Sequence, residues 1–367
     1  MLSRRTLLIG TGVTTAGAGA GYYMWPGFDP RYQEILDETH KPVEIWPHDK
    51  RALTMQLVRH ATLAANSHNT QPWLFEAGGN TIRIRADADR RCPIVDPDDR
   101  HVMASLGCAT ENLVLAAKAA GINTQVEFVT SSRHVIVTMT TGLPDRTAAY
   151  EAIVERQTTR APFDPAALSN DDLAALESST QKRGVRARFL TARKDLDGLK
   201  QFVVEGNTAQ CKDKAFVREL GDWIRFNQTH VSETRDGLYA GSSGNPNFPR
   251  WLGQHAFPFV FTADAENPKY AAQLDGSAGA VILYAETDGP EGWFNVGRAS
   301  QRFQLEATAR NIRTSFINQP VEVSAVRGAF QKWLGDGLRP ALVLRFGRGK
   351  TLPPSLRRPV AAVLKYA

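Results

Sequence analysis

Two stretches decide the fold: "GCATENLVLAAKAAGI" at residues 107–122 and "GRASQRFQLEATARNI" at residues 297–312. Aligned without a gap, they share Gly107/Gly297, Ala109/Ala299, Leu115/Leu305, Ala117/Ala307, Ala119/Ala309 and Ile122/Ile312, six identities in sixteen positions. Thr110 falls opposite Ser300. Alanine-rich helices resemble one another by composition alone. Here, however, each helix is followed within a few residues by chain entering a new extended run. The pair reads as an internal duplication, two similar α+β halves in one chain. Two such halves pack as a dimer does, about a pseudo-twofold axis.

The rest of the chain supports a packed protein of this size. It has 367 residues, 42% hydrophobic and 22% charged, which predicts a core and not disorder. The net charge of +6 comes from scattered basic residues. No basic block alternates with aromatics as in a nucleic-acid groove, so nucleic acid is not an expected partner. The cysteines are Cys92, Cys108 and Cys211, with no C-x-x-C, and the eight histidines show no H-E-x-x-H. That excludes a disulfide framework and a zinc knuckle, and no metal is expected.

The chain opens "SRRTLLIGTGVTTAGAGAGYYMW", with Arg4 and Arg5 ahead of an uncharged run over 6–25. Small-x-small sites lie at 16–18 and 18–20. A basic start, a moderately hydrophobic middle and such sites resemble a twin-arginine export signal. The other reading is an uncut N-terminal anchor; the run is about long enough to span a bilayer, though its glycines and threonines suit that poorly. Export to the periplasm or cell envelope is expected, with the twin-arginine machinery as partner and membrane anchoring through the N-terminus left open. That route carries folded proteins, often with a cofactor inside.

The organisation then reads as follows. Residues 52–65 form a helix with Leu53, Leu57, Val58 and Ala61 on one face. The Gly78-Gly79-Asn80 turn joins two strands as a hairpin. A long helix starts at the acidic "DPDD", and "TQVEFV" and "HVIVTM" are strands. "AAYEAIVERQTTRAPFDP" is expected to be a helix broken at Pro162, and "SNDDLAALESS" a helix with its own N-terminal signal. Residues 236–258, rich in Gly, Asn and Pro, are expected to form a long irregular loop. "AGAVILYAET" and "RPALVLRFG" are strands. The domain organisation is a leader over 1–25, a first half over 26–145 and a second over 146–367.

Two motifs carry polar chemistry. "NSHNTQPW" at 66–73 offers Asn69 and Gln71, each with a donor and an acceptor that cannot ionise. Such amides suit a ligand edge of alternating donors and acceptors, such as a flavin's pyrimidine ring. Pro72 stiffens the turn and Trp73 packs beneath it. "ERQTTRAPF" at 155–163 sets Arg156, Thr158 and Arg160 at a helix end. Two guanidinium forks and a hydroxyl suit a phosphate dianion. Alone, the first stretch also reads as a turn, and the second as a solvated helix end.

Together, Ser-x-Asn-x-Gln-Pro-Trp and Arg-x-Ser/Thr-x-Arg resemble the marks of the nitroreductase family of FMN-binding oxidoreductases. The matching residues are Ser67, Asn69, Gln71, Pro72 and Trp73, with Arg156, Thr158 and Arg160. "PSLRRPV", with Arg357 and Arg358, resembles the family's closing basic-Pro segment beside the phosphate. The chain is longer than ordinary members and carries the two motifs in the opposite order. It is similar in this to a fused, Acg-like branch built as a one-chain pseudo-dimer.

The resemblance implies an α+β, nitroreductase-like fold of two duplicated halves, each with a helix-flanked mixed or antiparallel sheet. It implies one complete FMN site, assembled from both halves. Ser67, Asn69, Gln71, Arg156, Thr158, Arg160, Arg357 and Arg358 are its expected cofactor-binding residues; Asn69 and Gln71 lie at the ring edge and the arginines at the phosphate. It implies reduction of nitroaromatic, quinone-like or related small molecules, with no side-chain catalytic residue named and no metal. Storage of the flavin without turnover is the alternative. The 236–258 segment reads as a lid over the flavin or as a surface excursion.

Overall fold

The computed structural model describes residues 28–182, 184–335 and 337–367. The leader over 1–25 lies outside them. Helices α1 (Pro30–His40) and α2 (Lys50–Thr62) precede a hairpin, β1 (Trp73–Gly78) and β2 (Thr81–Ala86). Gly79 takes φ +56° in that hairpin's turn, a region glycine enters without strain. Helix α3 (Arg100–Ala119) leads into β3 (Ile122–Val129) and β4 (His134–Thr141). Its acidic cap is Asp96, whose carboxylate accepts from the His101 and Val102 amides at 2.9 and 3.0 Å.

The second half runs through α4 (Ala148–Glu151), α5 (Asn170–Ser179), β5 (Val185–Leu190), α6 (Arg193–Lys212) and α7 (Lys214–Trp223). Then come β6 (Ile224–Arg225), α8 (Gln228–Thr234), β7 (Leu238–Tyr239), α9 (Arg250–Val260) and α10 (Ala263–Asp275). Strand β8 (Gly279–Ala285) is followed by α11 (Pro290–Ala309), β9 (Arg313–Phe316), α12 (Gln319–Glu322) and α13 (Ser324–Leu334). The chain closes with β10 (Pro340–Gly347), α14 (Val360–Val363) and β11 (Leu364–Tyr366).

The duplication is visible in the sheets. One has the order β11-β1-β2-β4-β3 and the other β5-β8-β10-β9. Matching α3 to α11 matches β1, β2, β4 and β3 to β5, β8, β10 and β9, in the same order and all antiparallel. Strand β11 is the exception. It leaves the second half and joins the first sheet parallel to β1, pairing Phe75 with Leu364.

Helices α3 and α11 pack face to face, and the contact is isologous. A Cβ added to Gly107 would lie 2.0 Å from the Phe294 carbonyl oxygen, and one added to Gly297 would lie 2.0 Å from that of Ala104. Residues 104 and 294 are equivalent in the repeat, so each glycine meets its partner's counterpart, as a twofold axis requires. The polar pairs obey the same rule. Glu111 takes Arg302 Nε at 2.9 Å, and Gln301 donates to Asn112 at 2.8 Å. Glu111 is fully buried, yet its pKa stays low. Burial works to raise it, but Arg298, Lys182 and Arg302 hold it charged.

Two expected elements differ. Residues 155–163 are not helical: α4 stops at Glu151, and Thr158 bridges Thr314 on the edge of β9. The β-branched pair Thr158-Thr159 favours that extended pairing over a helix. The segment 236–258 is not one irregular loop either. It holds β7, a short 3-10 turn at Ala240–Ser243 and the start of α9. The apolar residues Leu252, Ala256, Phe257 and Val260 at helical spacing draw α9 onto the cavity below.

Candidate functional site

A cavity of about 810 Å³ lies between α3, the α7–α9 region, α10 and α12. Beside it is a small pocket of about 50 Å³. The two share Ala65, Asn66, Thr158, Arg160 and Leu238. The cavity is apolar on the side of Phe216, Leu220, Phe226, Phe257 and Leu252, and polar along Ser67, Arg160, Gln210, Gln319 and Glu322.

The small pocket is built for an anion. Arg156, Arg160 and Arg357 line it together with His40 and Asn69, and no carboxylate does. None of the three arginines makes an ion pair among the described residues. Arg156 donates to Leu63 O at 2.9 Å and Gln304 Oε1 at 3.3 Å, and its Nε has no partner. Arg357 spends its whole fork within the fold: Nε donates to Thr62 O at 2.8 Å, Nη1 to Asn69 Oδ1 at 2.9 Å and to Ser355 O and Leu356 O at 3.1 and 3.2 Å, and Nη2 to Leu63 O and Ala64 O, both at 3.4 Å. Burial lowers Arg156 to about 10; burial, with Arg156 adding repulsion, lowers Arg357 to about 9. Both stay charged at neutral pH without a counter-ion, which is costly unless a ligand supplies one.

The strand-like path of 156–160 aims these groups. Thr159 N donates to Thr314 O at 2.9 Å. From below, the fully buried Arg345 donates to Thr159 O at 3.1 Å and Ala161 O at 2.8 Å, and stacks 3.8 Å from the Phe163 ring centre. Arg345 is thus a positioning residue, and nothing in its local sequence, inside the strand "PALVLRFG", marks it as one.

The turn at 66–73 is strained. His68, Asn69 and Gln71 have φ of +45°, +51° and +54°, uncommon for residues with a side chain. Internal hydrogen bonds hold it. Asn66 Oδ1 accepts from Gln71 N at 2.8 Å, and Asn69 Nδ2 donates to Gly237 O and Leu356 O, both at 3.0 Å. Gln71 Nε2 donates to Arg235 O at 2.9 Å, and its Oε1 accepts from Arg358 N at 2.7 Å.

The expected site residues therefore divide. Ser67, Thr158 and Arg160 line the large cavity; Asn69, Arg156, Thr158, Arg160 and Arg357 line the small pocket. Gln71 and Arg358 line neither, which corrects their placement at the ligand. Gln71 is fully buried with both ends of its amide used, and Arg358 turns to Asp87 at 3.3 Å. Asn69 also spends its amide on backbone and Arg357, so it orients the pocket and does not read a ring edge.

Three residues went unnoticed in the sequence. Asn66 lines both spaces. His40 donates from Nδ1 to Val154 O at 2.7 Å, which leaves its buried Nε2 unpartnered beside the pocket. Burial, with Arg357 and Arg156 adding repulsion, lowers its pKa to about 4. Glu322, at the floor of the large cavity, accepts from Gln210 Nε2 at 2.7 Å, and burial raises it to about 7. His40 lies in the proline-punctuated lead-in and Glu322 on a single helical turn, so neither carried a motif. The described residues hold no His/Cys/Asp/Glu group arranged for a metal.

Fold and site thus define a class: a duplicated α+β protein whose halves jointly build a cationic pocket opening on a large, mostly apolar cavity. Known relatives place it further. No family model matches the chain. It is 26% identical over 321 residues to proteins of Mycobacterium tuberculosis strains CDC 1551 and H37Rv, each described as "Putative NAD(P)H nitroreductase". The alignment covers 83% of this chain and 89% of theirs. The chain is thus similar to proteins of nitroreductase type over most of its length. Among solved structures, it overlaps the FMN-dependent nitroreductase NfnB from Mycobacterium smegmatis in complex with NADPH at 14% identity and a TM-score of 0.37, over 55% of this chain and 88% of that one. It overlaps a nitroreductase with bound FMN from Desulfitobacterium hafniense DCB-2 at 14% and 0.38, over 60% and 98%. At those scores the overlaps carry no argument of their own.

Proposed function

We propose that this chain is an exported, FMN-dependent oxidoreductase of nitroreductase type that reduces nitroaromatic, quinone-like or related small molecules. One observation carries the reading: three buried or half-buried arginines, with no carboxylate among them, meet in a small pocket at the edge of a cavity large enough for a ring system. The donor set fits the FMN phosphate, and the unpartnered Arg156 Nε is a donor still waiting for an acceptor. FMN, when bound, supplies the redox chemistry.

The chain's own residues do the rest. Arg156 and Arg160 bind the phosphate, Thr158 adds a hydroxyl, and Arg357, its donors taken by the fold, adds positive charge beside them. Asn66 lines the passage between pocket and cavity, and Ser67 the cavity wall beside it. The apolar wall from α7 and α9 excludes water, and the Glu322 carboxyl holds or yields a proton near neutral pH at the far side. The names of the relatives support NAD(P)H as electron donor. We assign the halves to 26–145 and 146–367, working as one monomeric pseudo-dimer similar to an Acg-like branch. Residues 1–25 serve the twin-arginine machinery, for delivery to the periplasm or cell envelope, with or without cleavage.

The test is direct. The purified protein is expected to be yellow, or to take up added FMN. Arg156→Ala with Arg160→Ala should release it far more than Ala at the exposed Arg186 or Arg193. A colourless protein that binds no FMN sinks the reading.

A further inference from the structure

Helix α9 has two apolar faces, and only one has a partner within the fold. Leu252, Gly253, Ala256 and Phe257 face the cavity, and Gly253 lets the helix close on the Phe226 ring, which an added Cβ would meet at 2.3 Å. The other face carries Trp251, His255 and Phe259 at i, i+4 and i+8, one stripe of a helix. Trp251 is 66% exposed and Phe259 82%. Phe248, Leu252 and Val260 are exposed as well but line the cavity, so Trp251 and Phe259 are the exposed apolar residues of the outer face. Contiguous patches of this kind mark an interaction surface.

The surroundings indicate what covers it. No Asp or Glu occurs between 237 and 263, while Arg250 is exposed at the helix start. Trp and Phe on one face with a flanking Arg are the composition of a helix lying in a lipid interface. Asp29 N donates to Gln228 Oε1 at 2.8 Å, and the neighbouring Asn227 donates to Phe248 O at 2.8 Å, so the start of the described chain lies beside the segment that leads into α9. No helix of the described residues is long and apolar enough to cross a membrane, so contact here lies at the surface.

We propose that the outer face of α9 docks on an anionic lipid membrane, with Trp251 and Phe259 entering the interface. An apolar molecule dissolved in the lipid then has only α9 between it and the cavity. The proposal stands whether or not the cavity holds a flavin.

The experiment uses the full chain and phosphatidylglycerol vesicles with brominated acyl chains, which quench tryptophan on contact. Part of the quenching is expected to disappear in Trp251→Phe, which keeps the surface apolar. Phe259→Asp is expected to abolish that same part with the far-ultraviolet circular dichroism unchanged. Equal quenching in the parent and Trp251→Phe would overturn the proposal, since only other segments would then touch lipid. Shielding of Trp251 from iodide before lipid is added would overturn it as well. Sedimentation then tells whether residues 1–27 of the same chain or a second copy covers the face.

Discussion

Replacing Arg156 by methionine separates a binding arginine from a structural one. Arg156 is 4% exposed, and burial lowers its pKa to about 10. A guanidinium whose folded pKa lies below its unfolded one weakens the fold wherever it is charged in both states. The deficit is present at neutral pH and lifts only as pH rises above about 10. At about 1.4 kcal/mol per pKa unit, the charge costs the ligand-free protein about 3–4 kcal/mol. Its two hydrogen bonds, to Leu63 O and Gln304 Oε1, return on the order of 2–3 kcal/mol. The two nearly cancel. Arg156→Met should therefore change ligand-free stability by less than about 1–2 kcal/mol, where breaking an ordinary buried ion pair costs about 3–5.

The assay is urea unfolding in phosphate-free buffer, repeated with FMN or inorganic phosphate. In the parent protein, ligand at a hundred times its Kd adds about 2.7 kcal/mol. In Arg156→Met most of that increment should vanish. A variant that loses more than about 3 kcal/mol without ligand, yet keeps the full ligand increment, would refute the argument. Arg156 would then be a structural cation and the pocket no anion site.

Other outcomes follow from the same geometry. His40 is half-buried and His60 buried, both with pKa values lowered to about 4, chiefly by burial, so each keeps its neutral form in the fold. Ligand-free stability should fall as pH drops from the ordinary histidine range towards 4, as circular dichroism melts at pH 7 and 5 will show. An anion in the small pocket reverses the repulsion on His40 Nε2, so phosphate binding should take up a proton and tighten towards pH 5. Calorimetry in two buffers of different ionisation enthalpy measures this, and His40→Gln should remove it. Gly297→Val sets a branched side chain against the Ala104 carbonyl and should cost more than about 3 kcal/mol, read from thermal melts, because both sides of the contact are backbone. Gln71→Ala strips a partner from Arg358 N and Arg235 O and should cost about 1–3 kcal/mol while weakening FMN binding, read by flavin fluorescence, only through a looser turn.

Much of this was legible before any coordinates. The duplication showed in two helices because a close helix pair needs glycine where the backbones touch, and a twofold-like contact needs it at the same place twice. Gly107 and Gly297 meet that demand. The arginines of 156–160 and Arg357 stood out only through the resemblance, since two guanidinium groups beside a hydroxyl read equally as a solvated helix end. The hairpin at 73–86 followed from alternation and its glycine turn.

What the sequence could not decide was direction. Asn69 and Gln71 are both amides in one turn, and their types alone suit a ligand edge equally well. The left-handed backbone at 68, 69 and 71 turns them instead towards the chain at 235–237 and the C-terminal segment, which reaches them only because β11 crosses to the first sheet. Arg345, His40 and Glu322 acquire their roles from chain distant in sequence, Arg345 beneath the 159–161 carbonyls, His40 beside Arg357, and Glu322 opposite Gln210. Residue type determined which chemistry this protein holds. Long-range packing decided which of those groups face an empty space and which are spent holding the others in place, because a hydrogen bond used within the fold is not available to a ligand.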